Sequence, residues 1–149
     1  MKSVTRTTFL AFTILILGYA SHFGAEPAKE TAMSQNKQTV EKYMEGFRKT
    51  DHALILSCLT DDIEWLIPGM FHKEGKDAFD KEIENEAFVG SPKISVIRLT
   101  EENDVVIAEG AVRATKKDGG VLDFAFCDVF EMKDGKVKKL ISYLMEIKE

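Results

Sequence analysis

The sequence has few of the residues that build disulfide scaffolds and metal centres. It contains only two cysteines, Cys58 and Cys127, which is far below the density of a disulfide-stabilised domain. The two fall on predicted elements of different kinds, so two isolated thiols are favoured over one bridge. The three histidines are scattered without the cysteine or carboxylate spacing of a zinc site, so we predict no metal and no cofactor.

The chain has no excess of positive charge, since 20 lysines and arginines stand against 25 acidic residues. The formal net charge is −5, and it would become −7 if Lys2 and Arg6 were removed with a leader segment. No cluster of lysine or arginine falls on a predicted face. Nucleic acids and anionic membrane surfaces are therefore poor partner candidates.

Long hydrophobic runs are missing except near the start of the chain. An uncharged run from Phe9 to Ala20 follows Lys2 and Arg6 and ends in small residues, which is the layout of a secretory signal peptide. A retained membrane anchor is the alternative, but the run is shorter than the roughly 20 residues that span a bilayer as a helix. We predict a signal peptide at 1–20, a flexible linker at 21–34, one domain at 35–149, and a periplasmic or secreted protein.

Helical periodicity marks the first part of this domain. Apolar residues recur at i, i+3, i+4 and i+7 over 35–48, which predicts an amphipathic helix. Asp51 is the expected N-cap of a second helix that ends before 60–62. A strand is predicted at 63–67 and a third helix at 76–87.

Strands dominate the rest of the chain. Two Asp-Gly pairs, Asp118-Gly119 and Asp134-Gly135, are strong hairpin signals. Four strands are predicted, at 93–100, 105–115, 121–132 and 136–147. Helices first and antiparallel strands afterwards indicate an α+β domain with the helices on one face of the sheet.

Counting across the two hairpins brings acidic and aromatic side chains together. A two-residue turn at Asp118-Gly119 predicts that Glu109 faces Asp128, whereas a three-residue loop would turn Glu109 away. The same counting at the second turn places Tyr143 beside Phe126. The predicted aromatic face also carries Phe124 and Phe130.

Two carboxylates in such surroundings cannot both ionise cheaply. We therefore expect at least one of Glu109 and Asp128 to have a raised pKa and to act as an acid or a hydrogen-bond donor. The alternative is that each carboxylate lies in water or is satisfied by a lysine or backbone partner.

Four segments resemble the nuclear transport factor 2-like superfamily, and within it the SnoaL-like polyketide cyclases and ketosteroid isomerases. In chain order they read TVEKYMEGF, LTDDIEWLIPG, HKEGKDAF and FCDVFEMKDGKVKKLISY, and the resemblance spans about 39–147. It implies a cone-shaped fold in which a curved antiparallel sheet wraps three N-terminal helices around an internal pocket. It also implies frequent dimerisation through the outer face of the sheet, but no single activity.

The resemblance assigns roles to some residues. It implies that Tyr43 and a protonated Asp128 would form an oxyanion hole like that of ketosteroid isomerases. The position of the isomerase base falls on Ile67, which cannot accept a proton, and this argues against that mechanism. SnoaL-like cyclases use an Asp with a His, for which the candidates are Asp128 and His72.

The turn at Pro68-Gly69 lies where pockets of this family commonly open. Trp65 and Phe71 flank it and are predicted to form part of the pocket wall. For His72 two interpretations are open: it is either an exposed turn residue or an acid or base in the pocket.

Three functions remain at this point. The first is an exported pocket protein that binds a small, mostly apolar molecule bearing an oxygen. The second is an isomerase, cyclase or lyase in which Asp128, with Glu109 or His72, moves a proton and Tyr43 donates to an oxyanion. The third is a non-catalytic dimerisation or interaction module.

Overall fold

A computed structural model describes residues 32–148 of the chain. The predicted signal peptide at 1–20 and the linker up to residue 31 lie outside the described residues. The described residues, 32–148, belong to one compact unit.

Two capped helices open this unit, as the periodicity predicted. Helix α1 spans Gln35–Lys49 and begins after Ser34, whose side chain accepts a hydrogen bond from the Lys37 backbone N–H. Helix α2 spans His52–Ser57 and begins after Asp51, whose carboxylate accepts from the backbone N–H of Leu54. Each cap satisfies an N–H group that has no partner within its helix.

A curved, unclosed six-stranded sheet follows, so the predicted α+β class and family fold are confirmed. Its strands are β1 Leu59–Ile67, β2 Phe71–Glu74, β3 Phe88–Glu102, β4 Val105–Lys116, β5 Val121–Lys133 and β6 Lys136–Glu146, with helix α3 Lys76–Asp80 between β2 and β3. They lie in the order β2-β1-β6-β5-β4-β3. All neighbours are antiparallel except β1 and β6, which are parallel.

Several elements differ from the prediction, among them strand β3, which begins at Phe88 instead of residue 93. Helix α3 ends at Asp80 instead of residue 87, because its last turn carries Asp80 and no basic residue that would stabilise the helix dipole. Strand β1 begins at Leu59 instead of residue 63, because Leu59 is fully buried and pairs with Val137 of β6. Strand β2 was not predicted, because its four residues carry too short a pattern.

The core lies between helix α1 and the inner face of the sheet. Helix α1 contributes Val40, Tyr43 and Met44, all at most 3% exposed. They pack with buried sheet residues that include Phe130 and Leu140. Within this packing the ring of Tyr43 on α1 contacts Phe130 of β5, and the site lies beside this contact.

Candidate functional site

A small cavity, hereafter the inner cavity, lies between α1 and the inner face of the sheet. Its volume is about 200 Å³. Its lining residues are mostly apolar and are Tyr43, Met44, Phe47, Trp65, Ile67, Pro92, Ile94, Val112, Phe126, Asp128, Ser142 and Leu144. Among these residues the ionisable side chains are Tyr43 and Asp128. An apolar hollow with few polar groups is the usual plan of a small-molecule site.

Asp128 carries the unusual chemistry of this cavity. Its Oδ1 atom has almost no contact with solvent and no hydrogen-bond partner. Burial raises the pKa of its carboxyl from 3.8 to about 7, and a hydrogen bond with the Ser142 hydroxyl partly opposes this rise. An unsatisfied buried oxygen is costly when it is charged, so this burial favours the neutral carboxyl, which can donate a hydrogen bond.

Tyr43 is the second polar group of the inner cavity. Its ring packs edge-on against Phe130, with 5.4 Å between the ring centroids, and this contact fixes the ring on α1. Burial, followed by the charge of Asp128, raises the pKa of Tyr43 well above its ordinary value of 10. The phenol therefore stays protonated and keeps its ability to donate a hydrogen bond.

Trp65 and Ser142 form a hydrogen-bonded pair in the cavity wall. The indole Nε1–H donates to the Ser142 Oγ across 3.2 Å. Trp65 is held by stacking on Phe79, with ring centroids 4.6 Å apart. Ser142 is 4% exposed and lies directly across from Asp128 in the pairing of β5 with β6.

A wider apolar cleft, hereafter the outer groove, adjoins the inner cavity. Its volume is about 550 Å³, and its walls include Ile83, Phe88 and Phe124. The two spaces share the lining residues Phe47, Pro92, Val112 and Leu144. The outer groove is the larger space, but its only ionisable lining residue, Glu84, is exposed. The chemistry of the site therefore belongs to the inner cavity.

The sequence matches the SnoaL-like domain family over residues 40–140, which is more than half of the chain. The chain belongs to this family. A search of curated proteins found no match.

Solved structures confirm the shared fold. A nuclear transport factor 2-like protein from Burkholderia pseudomallei k96243 is 22% identical with a TM-score of 0.68, over 76% of this chain and 92% of that one. TerC, co-crystallised with polyporic acid, is 24% identical with a TM-score of 0.67, over 73% and 90%. An LEH-like epoxide hydrolase from M. tuberculosis is 17% identical with a TM-score of 0.67, over 74% and 83%. At these identities the likeness shows the fold alone.

Within this SnoaL-like domain the predicted pairing of Glu109 with Asp128 is wrong. The turn between β4 and β5 has three residues, 117–119, so Glu109 pairs with Cys127 instead. This shift by one residue turns Glu109 to the outer face of the sheet, where it forms an ion pair with Arg98. The hairpin therefore has the three-residue loop that the sequence analysis gave as the alternative.

The predicted position of Tyr143 beside Phe126 is also wrong. A β-bulge near Glu131 shifts the register of β6 by one residue, so Tyr143 lies beside Cys127 on the outer face. Tyr143 is 52% exposed. The bulge places Ser142 across from Asp128, and sequence reasoning missed this residue because no turn signal marks the bulge.

The other predicted wall residues divide among different places. Trp65 and Phe126 line the inner cavity, whereas Phe124 lines the outer groove. Phe130 is fully buried in the core. Phe71 packs edge-on against Trp65, with centroids 5.1 Å apart, and is absent from the lining of both spaces.

His72 takes the exposed alternative. It lies on edge strand β2, with its Nε2 3.6 Å from a Glu64 oxygen and 3.8 Å from a Glu74 oxygen. The carry-over of a cyclase Asp–His pair is therefore wrong, because His72 does not line the inner cavity with Asp128. Ile67, at the position of the isomerase base, does line it.

His52 has partners that the sequence did not indicate. Its Nδ1 lies 2.6 Å from Asp80 Oδ1 and its Nε2 lies 3.0 Å from Glu84 Oε1. Hydrogen bonds to Asp80 and then to Glu84 raise the pKa of His52. This cluster joins the start of α2 to the segment that follows α3.

The structure also bears on metal binding, membrane-spanning helices and the two cysteines. Within residues 32–148, no group of three or more histidine, cysteine or acidic side chains is placed to hold a metal ion. No helix in this part of the chain is long and apolar enough to cross a membrane. Both Cys58 and Cys127 are free thiols, as favoured, with Cys58 buried and Cys127 partly buried on the outer face.

Proposed function

We propose that this protein binds a small, mostly apolar molecule that carries an oxygen, with that oxygen at Asp128 in the inner cavity. The observation that supports this most is the buried, unpartnered Oδ1 of Asp128 within an apolar lining. A ligand oxygen would accept one hydrogen bond from the protonated carboxyl of Asp128 and a second from the Tyr43 phenol. Each bond to an otherwise unsatisfied buried group contributes about 1–3 kcal/mol.

The size of the two spaces limits the ligand. Small-molecule pockets usually measure about 300–1,000 Å³, and the inner cavity at about 200 Å³ is smaller than that. The outer groove is about 550 Å³ and shares four wall residues with it. A ligand of ordinary size would therefore place its oxygen-bearing end in the inner cavity and its apolar remainder in the outer groove.

Binding is favoured over catalysis by the shortage of ionisable groups. Proton transfer by an acid and a base needs two such groups near the reacting atoms. Ile67 occupies the isomerase base position, while Glu109 and His72 lie outside the inner cavity. An isomerase, cyclase or lyase remains the second candidate only in a form in which Asp128 both takes and returns the proton.

Melting temperature measured with and without ligand tests the proposal, because ligand binding raises apparent stability by mass action. The purified protein is tested against polyporic acid, aromatic ketones and sterol ketones. We expect at least one of them to raise the melting temperature of the wild type and to lose this effect in Asp128→Leu, which removes the carboxyl group. The control is Asp123→Leu, the same change on the outer face of β5. Equal ligand effects in both variants, or none in the wild type, would contradict the proposal.

Export is the second part of the proposal, and the layout of residues 1–20 supports it. We expect protein recovered from the periplasm or medium of an expressing bacterium to begin at Ser21. Mass spectrometry of the recovered protein measures this directly. An intact Met1 terminus in the cytoplasm would contradict export without affecting the cavity.

A further inference from the structure

We propose that His52 is a proton-dependent latch that holds one wall of the outer groove in place. The wall is the segment 81–87, hereafter the strap, which joins α3 to β3. A doubly protonated imidazole holds the strap against α2, and a neutral one releases it. This inference rests on the proposed function, because it assigns a regulation to the same binding site, but the latch itself is measurable without a ligand.

The strap lies beside the space that the body of the ligand would occupy. Its residues Ile83, Glu84 and Asn85 line the outer groove. Ile83 is 9% exposed and packs into the core, whereas Glu84 and Asn85 are exposed. The core therefore fixes the strap at Ile83, and the residues that follow need another contact to hold them.

That contact is a pair of hydrogen bonds to one imidazole ring. His52 Nδ1 lies 2.6 Å from Asp80 Oδ1, and its Nε2 lies 3.0 Å from Glu84 Oε1. An ionised carboxylate can only accept, and a neutral imidazole has one N–H donor, whereas the imidazolium has two. Both hydrogen bonds therefore form together only when the ring is charged. In the neutral ring one nitrogen turns a lone pair toward a carboxylate oxygen, and that contact is repulsive.

Loss of the proton breaks the bond to the strap. The contact with Asp80 is the shorter of the two, and Asp80 belongs to α3. The Glu84 side chain is 70% exposed, against 43% for Asp80, so water replaces its partner more readily. We expect the neutral ring to keep its N–H toward Asp80 and to release Glu84.

The elements packed against α2 are α1 and α3. At the end of α1, Arg48 and Lys49 pair with Glu45, and the N-cap Asp51 accepts from the backbone of α2. The two carboxylates that contact the ring come from α3 and the strap. The other charged residues of α3 and the strap are Lys76, Asp77, Lys81, Glu82 and Glu86.

The latch opens on the alkaline side of neutrality. Hydrogen bonds to Asp80 and then to Glu84 raise the pKa of His52 from its ordinary value of 6.5. A raised pKa means that the ring stays charged, and the latch closed, at pH 6.5 and below. The contacts of the charged ring are lost as the pH rises through the raised pKa.

Release loosens only the middle of the strap. Ile83 stays in the core, and the Glu82 carboxylate keeps its ion pair with Lys73 at 2.7 Å. At the other end, the Ala87 carbonyl still accepts from the Lys117 N–H. The residues between these fixed points, 84–86, gain freedom, and two of them line the outer groove.

NMR spectroscopy of the full-length protein between pH 5.5 and 8.5 tests the latch. The His52 ring protons give the pH at which the ring loses its proton, and the amide signals of 84–86 report the strap. We expect a ring midpoint above pH 6.5 and strap amides that shift with the same midpoint. In Glu84→Gln the ring midpoint should fall and the strap amides should lose this transition. The control is Glu86→Gln, the same change two residues along the strap, which should keep the transition.

Two results would overturn the latch. One is a set of strap amides that does not move with the His52 ring, or that follows the second ring signal, from His72 on β2. The other is a strap transition that survives in Glu84→Gln.

A neutral ligand separates the latch from the proposed function. Benzophenone has no ionisable group, and calorimetry measures its dissociation constant at pH 5.5 and 8.5. Asp128 also titrates in this range, but it is present in both the wild type and Glu84→Gln, so its effect cancels. We expect the dissociation constant to rise about threefold more in the wild type, because a released wall must be ordered again on binding.

The outcomes of this measurement are distinguishable. An equal rise in the wild type and Glu84→Gln would overturn the regulation of the outer groove while the pocket function stood. Failure of benzophenone to bind at either pH would count against the proposed function, and the NMR titration would still decide the latch.

Discussion

At the scale of one residue, the burial of Asp128 in the binding site lowers the free energy of unfolding at neutral pH. Its folded-state pKa is raised to about 7, so the folded protein keeps a proton that the unfolded chain releases above about pH 4. The stability that this proton contributes is present below pH 4 and is lost as the pH rises through 7. Between about pH 5 and 8, wild-type stability should fall by about 3 kcal/mol more than that of Asp128→Asn.

Urea unfolding of both proteins at the two pH values measures this difference. His52 also has a raised pKa and loses stabilisation as the pH rises, but it is present in both proteins and its effect cancels. Equal pH dependence in the two proteins would mean that Asp128 is not desolvated in the folded state.

Gly110 is the second residue whose identity shapes the cavity wall. A Cβ atom at this position would lie 2.6 Å and 2.7 Å from ring carbons of Phe126, and it would overlap the backbone oxygen of Ser95. Gly110→Ala should therefore destabilise the protein by about 1–3 kcal/mol, measured by urea unfolding. Adding Phe126→Leu should recover only part of this loss, because the contact with Ser95 remains. Wild-type stability in Gly110→Ala would contradict this packing.

At the scale of one element, helix α2 depends on its cap. With six residues it is too short to be stable alone, and Asp51 satisfies the N–H of Leu54 at 2.9 Å. Asp51→Ala should cost about 1 kcal/mol of unfolding free energy, whereas Asp51→Asn, which can still cap, should cost little. Thermal or urea unfolding of both variants checks this, and equal losses would show that the charge and not the cap matters.

Elements also show where sequence reasoning stops. The periodicity of α1 and the two Asp-Gly turns are local signals, and both helix starts and the four long strands follow from them. Asp128 was placed inward correctly because alternation within β5 itself sets its face. Glu109 and Tyr143 were placed on the wrong face. A three-residue turn shifts the pairing of Glu109 by one residue, and a β-bulge does the same for Tyr143. Such register shifts depend on packing against the rest of the sheet, so a local sequence pattern does not predict them.

At the scale of the whole molecule, the outer face of the sheet carries an apolar patch. In the pairing of β4, β5 and β6, Ile107, Val129 and Ile141 form one row. Tyr143 and Met145 extend it and are 52% and 70% exposed. Exposed apolar surface of this kind marks interaction sites.

The family resemblance implies a dimer through this face, and a two-fold dimer would place the patch against its own copy. We expect sedimentation velocity across a range of concentrations to show a dimer for the wild type and a monomer for Tyr143→Glu, because a charge would be buried in the contact. Met33→Glu, which adds the same charge at an exposed methionine before α1, should remain dimeric. Since Tyr143 lies on the opposite face from the inner cavity, ligand binding by Tyr143→Glu should survive. A monomeric wild type would contradict this prediction, and so would a dimer that Tyr143→Glu leaves intact. In either case the apolar patch would not be the dimer interface, and the proposal for the inner cavity would be unaffected.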